Sequence, residues 1–569
     1  MKFLIKKNYI ILFLISILLI GPKVFAKESK IQYTKEDISN YFSGIVFINQ
    51  NNNNEAFKRL KKVKSLKNRH SRYNTEFIRM LILMDKFEQA FNFSKSVWSV
   101  DEFVFETDLL LGLNYFVKKD YINAERHFER LNKISQHNLF FDDFIGNVLI
   151  AWSKASQGNK EDSFKFLAKT PLQIEKIQNI FLQCYFDDFQ TMKSFEKLIN
   201  DEDYNFSRYN FFLINYLLFS NKIKEAKKVI GDSRREHNSN LLIKQTENFF
   251  LNNKNKKIKS LFDCKNPNDS LAEFFYIIAN LYSSEKDYKL SNFYIKISAF
   301  LNNKFLPNQI LLAENYFYQE KNELSKNVYQ SLKSIGSAYS WHASRSIATI
   351  LSKTKGKKYS ASSLENEFNL LPNPNYEHYY ELANFYKNNE YYNKSIEYYS
   401  LALGEIKKDH FLVPKILERR GTSFERMGDW ENAEKDLIKS LEILPDQAYV
   451  LNYLAYSWID QGINVDKGLQ MLKKANKLSE DDGYIIDSLG WAYYAKENYT
   501  EAELFLQRAV ELLPQDPIIN DHYADILWML NKNIQARYFW EYVLKLDHTE
   551  QKLKDIINKK IIFGITKKL

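Results

Sequence analysis

Side chains able to do chemistry are thinly spread along this 569-residue chain. Its nine histidines are scattered, and His522 and His548 lie too far apart to act as ligands spaced along one helix. The H-E-x-x-H arrangement, which sets two imidazoles on one helix face for zinc, does not occur. Neither does the G-x-S-x-G nucleophile turn nor a glycine-rich loop of the kind that cradles phosphates. The adjacent acids Asp142-Asp143 and Asp187-Asp188 are carboxylate pairs, the residue type used for glycoside hydrolysis. Neighbours on a helix point to different faces, so neither pair can flank a glycosidic bond. They read as solvated surface. The expectation is no catalytic residue, no metal site and no cofactor.

What the sequence does hold is a repeating frame. Its clearest copy is Gly483 to Pro514, GYIIDSLGWAYYAKENYTEAELFLQRAVELLP. A first helix is predicted from about Tyr484 to Ala495, with Ile486, Leu489, Trp491 and Tyr493 as large residues and Gly490 admitting a close neighbour. Asp482 and Gly483 are start signals. Lys496-Glu497-Asn498 makes a polar turn. A second helix is predicted from near Thr500, with Glu503 at capping-box spacing. Ala502, Leu506 and Ala509 fall on one buried stripe, and Pro514 stops the helix. The L-G-x-x-Y of the first helix, followed by the small residue of the second, then Ala and Pro, resembles the tetratricopeptide repeat, a unit of about 34 residues.

The period returns along the chain. Gly44, Gly112 and Gly146 lie on one 34-residue grid, with Ile78 between the first two. Ala56, Ala90 and Ala124 lie on a second, and Val63, Val97 and Leu131 on a third. Units are predicted to start near Asp37, Ser71, Phe105 and Phe144. Beyond these, Ser194, Ala226, Ser260, Ser291, Ser325, Ala361 and Ser395 are candidate small residues of second helices, and Lys353–Ser363 reads as a longer loop. About 15 units are expected. The predicted fold class is all-α, a right-handed α-solenoid of stacked helix–turn–helix hairpins. Its divisions are a signal segment over 1–26, a polar lead over 27–36, divergent units over 37–370, well-formed units over 371–550, and a capping helix with a basic tail over 551–569. Repeats occupy nearly all of 37–550, which leaves little room for a catalytic domain.

Met1 to Ala26 has the layout of a secretory signal. Lys2, Lys6 and Lys7 precede an apolar run from Tyr9 to Ile20, and Val24-Phe25-Ala26 offers a cleavage site. At 12 residues the run is short of the about 20 needed to span a bilayer. No later stretch is long and apolar enough, so no membrane span is expected after cleavage. Residues 1–26 hold four lysines and no acid, leaving 76 basic against 70 acidic residues, both signs interspersed. That pattern is not a nucleic-acid footprint. Cys184 and Cys264 are the only cysteines. In a linear stack they sit about two units apart, so two separate core thiols are expected.

The resemblance also implies where a ligand sits. First helices of such repeats line a concave surface. The inward positions here are Asn452, Tyr456, Asp487, Trp491, Tyr494, Asp521, Asp525 and Trp528, with Tyr449 and Tyr484 one turn earlier. Rigid aromatics beside hydrogen-bonding groups suit a protein or extended peptide ligand. The competing reading is that Trp491 and Trp528 are packed between units and the aspartates act as helix-start charges. Some family members clamp a carboxylate with paired Lys and Asn. Asn384 matches one such position, but Tyr380 stands where Lys is needed, so no clamp is expected. The resemblance to exported bacterial repeat scaffolds implies a non-enzymatic binding protein of the periplasm or envelope. The alternatives are a cell-wall enzyme with a helical body, resembling lytic transglycosylases, and a purely structural spacer. The partner's identity and the oligomeric state are not encoded in any motif.

Overall fold

The computed structural model describes residues 33–68, 70–100, 104–135, 144–236 and 240–565. The signal segment, most of the polar lead, the Asp142-Asp143 pair and the last residues of the basic tail lie outside them. The fold is an all-α helical repeat, and no strand occurs among the described residues. Among the described residues fifteen helical hairpins follow one another, from Lys35–Asn49 with Asn53–Leu60 to Pro517–Met529 with Asn533–Lys545. A closing helix, Gln551–Phe563, follows.

Each hairpin turns through a residue with left-handed backbone. Glycine does this at Gly158, Gly356, Gly428 and Gly462, and residues such as Asp85, Lys119, Glu390, Glu497 and Asn531 do it elsewhere. A non-glycine residue there costs about 1 kcal/mol, which the packing of the two helices must offset. The turn at Gly356 corrects the expected loop over Lys353–Ser363. The tract is helical on both sides, within Ser337–Lys355 and Lys357–Asn369, and only Gly356, at φ 89°, breaks it.

Small residues set the distance between the helices of a pair. Ala56, Ala90, Ala124, Ala433, Ala502 and Ala536 are fully buried. A side chain on Gly490 would place its Cβ 2.7 Å from Leu506 Cγ, so the predicted close approach is real. Serine replaces alanine where its hydroxyl can be satisfied. Ser291 donates to the Ala279 carbonyl at 2.7 Å, Ser325 to Ala313 at 2.8 Å and Ser360 to Ala348 at 2.5 Å. Ser360, fully buried, therefore holds the place expected of Ala361. Two further expectations shift. Ser260 is exposed and Ser194 half-buried, because Ile258 and Phe195 are the buried residues of those short helices. In the clearest hairpin, Asn498 rather than Thr500 caps the second helix, accepting from Glu501 N, and Asp482 caps the first.

The chain forms two compact units. One comprises the described residues up to Asn205 with Lys259–Asn308, the other the described residues of 206–258 with those from Gln309 onward. In the first, the chain does not run as a linear stack. Helix Tyr288–Leu301 returns to pack on Ser71–Leu83. Phe300 stacks on Phe87 with centroids 4.4 Å apart, and Lys289 pairs with Glu76 at 3.2 Å. Helix Pro267–Ser284 likewise packs on Leu172–Tyr185. This return brings Cys184 and Cys264 together as a disulfide with Cα atoms 5.9 Å apart. The expectation of two separate thiols is thereby corrected, since their separation assumed a straight array.

In the second unit, helix Leu241–Leu251 packs on Ser337–Lys355. Arg234 bridges Glu247 and Glu377, and Lys244 bridges Glu377 and Glu381 at 3.2 and 3.1 Å. From Tyr376 onward the hairpins succeed each other regularly. First helices Ala448–Asp460, Gly483–Ala495 and Pro517–Met529 lie side by side.

Candidate protein-interaction groove

The three adjacent first helices carry the predicted inward residues. Tyr449 starts the row, 67% exposed, and its hydroxyl donates to Asp482 at 3.0 Å. Asp482 is also the cap of the next helix, accepting from Tyr484 N and Ile485 N. Tyr484, 56% exposed, is the equivalent residue of that helix. Tyr456, Trp491 and Tyr494 are half-buried. Trp491 and Tyr494 stack at 4.5 Å, nearly parallel, and His522 stacks on Trp491 at 4.1 Å. Tyr456 lies 6.5 Å from the same imidazole. The result is a continuous aromatic column across the three helices. Asn452 sits at its edge, and its Oδ1 is shielded from solvent without a hydrogen-bond partner.

The aspartates are placed differently from a free ladder. Asp487, Asp521 and Asp525 are all buried. His522 Nδ1 lies 3.0 Å from both oxygens of Asp487. Lys560, from the closing helix, donates to Asp521 and Asp525 at 2.8–2.9 Å. Trp540 adds a 3.0 Å hydrogen bond to Asp525. Trp528 is also engaged within the chain. It lies 5.6 Å from Trp540, under the Arg537 guanidinium at 5.0 Å, and against Gly564, which has no room for a Cβ there. The downstream end of the row is thus closed by the chain itself, and the open part runs through Tyr449, Tyr456, Tyr484, Trp491 and Tyr494. None of these aspartates is a helix-start charge: all three lie beyond the first turn of their helices, and each is bound by a cation from another element.

Burial alone would lower the pKa of His522. The charge and hydrogen bond of Asp487, with Asp521 and Asp525 behind it, outweigh burial and raise it. Burial and the neighbouring Asp521 raise the carboxyl of Asp525, against Lys560. Lys560 is itself raised, because Asp525 and Asp521 outweigh its desolvation. Burial, then nearby aspartates, raise the phenols of Tyr456 and Tyr494, which therefore stay protonated.

A second recess, about 550 Å³, lies in the same unit between Leu241–Leu251 and the first helices Ser337–Lys355 and Tyr376–Asn388. Lys244, Trp341, His342, Arg345 and Glu381 line it. Trp341 Nε1 donates to Glu381 at 2.7 Å. Burial and Arg345 hold His342 down to about 4, so it is neutral at physiological pH. Sequence reasoning missed this recess. It depends on residues more than 90 apart, and no local motif announces the pairing of Arg234 with Glu377 or of Lys244 with Glu377 and Glu381. Among the described residues no group of acids, histidines and cysteines is placed to hold a metal ion.

Residues 376–409 and 486–516 match the family model of the tetratricopeptide repeat. TPR repeat-containing protein PA4667 of Pseudomonas aeruginosa is 32% identical over 103 residues, a stretch covering 18% of this chain and 18% of that protein. The match thus spans under a fifth of the relative's length. Among solved structures, MamA from Desulfovibrio magneticus RS-1 is similar at 16% identity, over 31% of this chain and 97% of that one, with a TM-score of 0.28. Yeast Tom70 is similar at 13% identity, over 79% and 93%, with a TM-score of 0.35. The family match falls on two of the hairpins among the described residues, Tyr376–Asn388 with Tyr392–Glu405 and Gly483–Ala495 with Tyr499–Leu512, and it is these stretches that are similar to the tetratricopeptide repeat.

Proposed function

We propose that this protein is an exported, periplasmic scaffold that binds a protein or extended peptide along the open aromatic row of its C-terminal hairpins, in the service of envelope assembly or export. Tetratricopeptide repeats act as protein-interaction scaffolds and are generally non-enzymatic. The observation that carries the reading is the column Tyr456, His522, Trp491 and Tyr494, continued by the exposed Tyr449 and Tyr484. Large rings held rigid by stacking lose little entropy on binding, which makes them effective anchors. Export is supported by the signal-like layout of Met1–Ala26 and by the Cys184–Cys264 disulfide, which persists in oxidising compartments. No described helix is long and apolar enough to cross a membrane.

The test is affinity capture from envelope extract with the mature chain and with a Tyr449→Ala/Tyr484→Ala/Trp491→Ala variant, both checked for helicity by circular dichroism. A partner retained by the first and lost by the second supports the groove. Equal retention removes the groove from the function and directs attention to the recess at Lys244 and Trp341. Capture of nothing by either favours a spacer. Localisation is tested separately, by fractionating cells that express the full chain.

A further inference from the structure

Five aspartates lie on or beside the row. Asp487, Asp521 and Asp525 are buried and paired with His522 and Lys560, so the carboxylates left open are Asp460 and Asp482. Asp460, at the exposed end of helix Ala448–Asp460, forms no ion pair, and Asp482 is matched only by Tyr449 and backbone N–H groups. Two aspartates together raise the phenol of Tyr456, and two others that of Tyr494, after burial.

The chain also shows what this surface accepts. Lys560 enters the acidic end from a separate helix, donates to two carboxylates at once, and has its ammonium 6.0 Å from the Trp540 ring. Beyond that lysine, the same pairing of carboxylate and ring recurs without a resident cation at Asp482 with Tyr449 and Tyr484, and at Asp460 beside Tyr456. Ammonium and guanidinium groups are drawn both to carboxylates and to aromatic faces.

Resting on the groove reading above, we infer that the partner segment is basic: a lysine- or arginine-bearing peptide whose cations lie over Tyr449, Tyr484 and Tyr456 and pair with Asp482 and Asp460, as Lys560 does with Asp521 and Asp525. An acidic segment would meet like charge at Asp460 and Asp482.

The experiment uses the full mature chain and three fluorescently labelled peptides of one length: alternating leucine and lysine, alternating leucine and glutamate, and alternating leucine and glutamine. Anisotropy is read at low and high salt. The expected result is binding of the lysine peptide, weakened about tenfold or more by added salt and about fivefold or more by Asp460→Lys or Tyr484→Ala, with Asp460→Asn between. Lys165→Glu, an exposed residue of the first unit, should leave binding unchanged. Equal binding of the glutamine peptide, lost in Tyr484→Ala, overturns the basic preference and leaves the groove intact. Preference for the glutamate peptide overturns it too. Lysine-peptide binding that neither Asp460→Lys nor Tyr484→Ala alters, or no binding of any peptide, overturns both the basic preference and the groove.

Discussion

Asp487 holds His522 through both of its carboxylate oxygens, each 3.0 Å from Nδ1, across two neighbouring repeats. The two residues are 35 positions apart, one repeat and one residue, so the pair ties successive first helices together. Because the folded pKa of His522 is raised, its contribution is fully present below the unfolded value of about 6.5 and is lost as pH rises through the folded value. The melting temperature of the C-terminal unit should therefore fall as the medium passes from mildly acidic to mildly alkaline. Asp487→Asn should flatten that slope and cost about 1–3 kcal/mol at low pH. An unchanged slope in the variant would remove the pair as its source.

Lys560 neutralises two buried carboxylates. Lys560→Met leaves Asp521 and Asp525 facing each other, at an expected cost of about 3–5 kcal/mol in chemical unfolding. Asp521→Asn added to Lys560→Met should recover part of the loss, since the remaining Asp525 already has a raised pKa and can protonate. If the double variant is no better than the single one, repulsion between the carboxylates is not the cause.

The Cys184–Cys264 bond closes a loop of 80 residues. Loop-closure entropy puts its contribution at about 4.5 kcal/mol. Reductant or Cys264→Ser should lower the melting transition of the first unit and leave that of the second in place, as read by calorimetry. A single joint shift would mean that the two units unfold together.

Two glycines should respond oppositely to alanine. At Gly490 the new methyl meets Leu506 at 2.7 Å and costs about 1–3 kcal/mol. At Gly404, inside helix Tyr392–Glu405, nothing lies within 4 Å, and alanine should stabilise by about 0.5–1 kcal/mol. Paired urea titrations decide this, and destabilisation by both would show that the space around Gly404 is not open.

The hairpins were readable because their determinants are local. Ala502, Leu506 and Ala509 lie on one face of one helix, and Asp482 caps within three residues. Starts predicted near Ser71, Phe105 and Phe144 coincide with helices Ser71–Leu83, Phe105–Val117 and Phe144–Ser156. Serine-bearing hairpins were harder to read because Ser360 and Ala361 are both small, and only the hydrogen bond to Ala348 distinguishes them. The repeat placed the aromatics on successive first helices, but it did not place the partners of Asp487, Asp521 and Asp525. Those come from a neighbouring helix and from the closing helix, which periodicity does not place. The disulfide and the Lys244 recess were illegible for the same reason: both depend on the chain leaving its stack and returning.

That departure has a bearing on how the protein comes into being. Each unit is assembled from two separated stretches of chain, so neither is complete when its first stretch has emerged. Residues 1–205 must wait for 259–308, and residues 206–258 for the segment beginning at 309. During synthesis, the surfaces that later receive the returning segments are bare for the time needed to deliver at least 50 more residues. The chain is therefore most in need of a chaperone midway through its own production. A cut at any single position divides at least one unit, which makes piecewise expression a poor route to either.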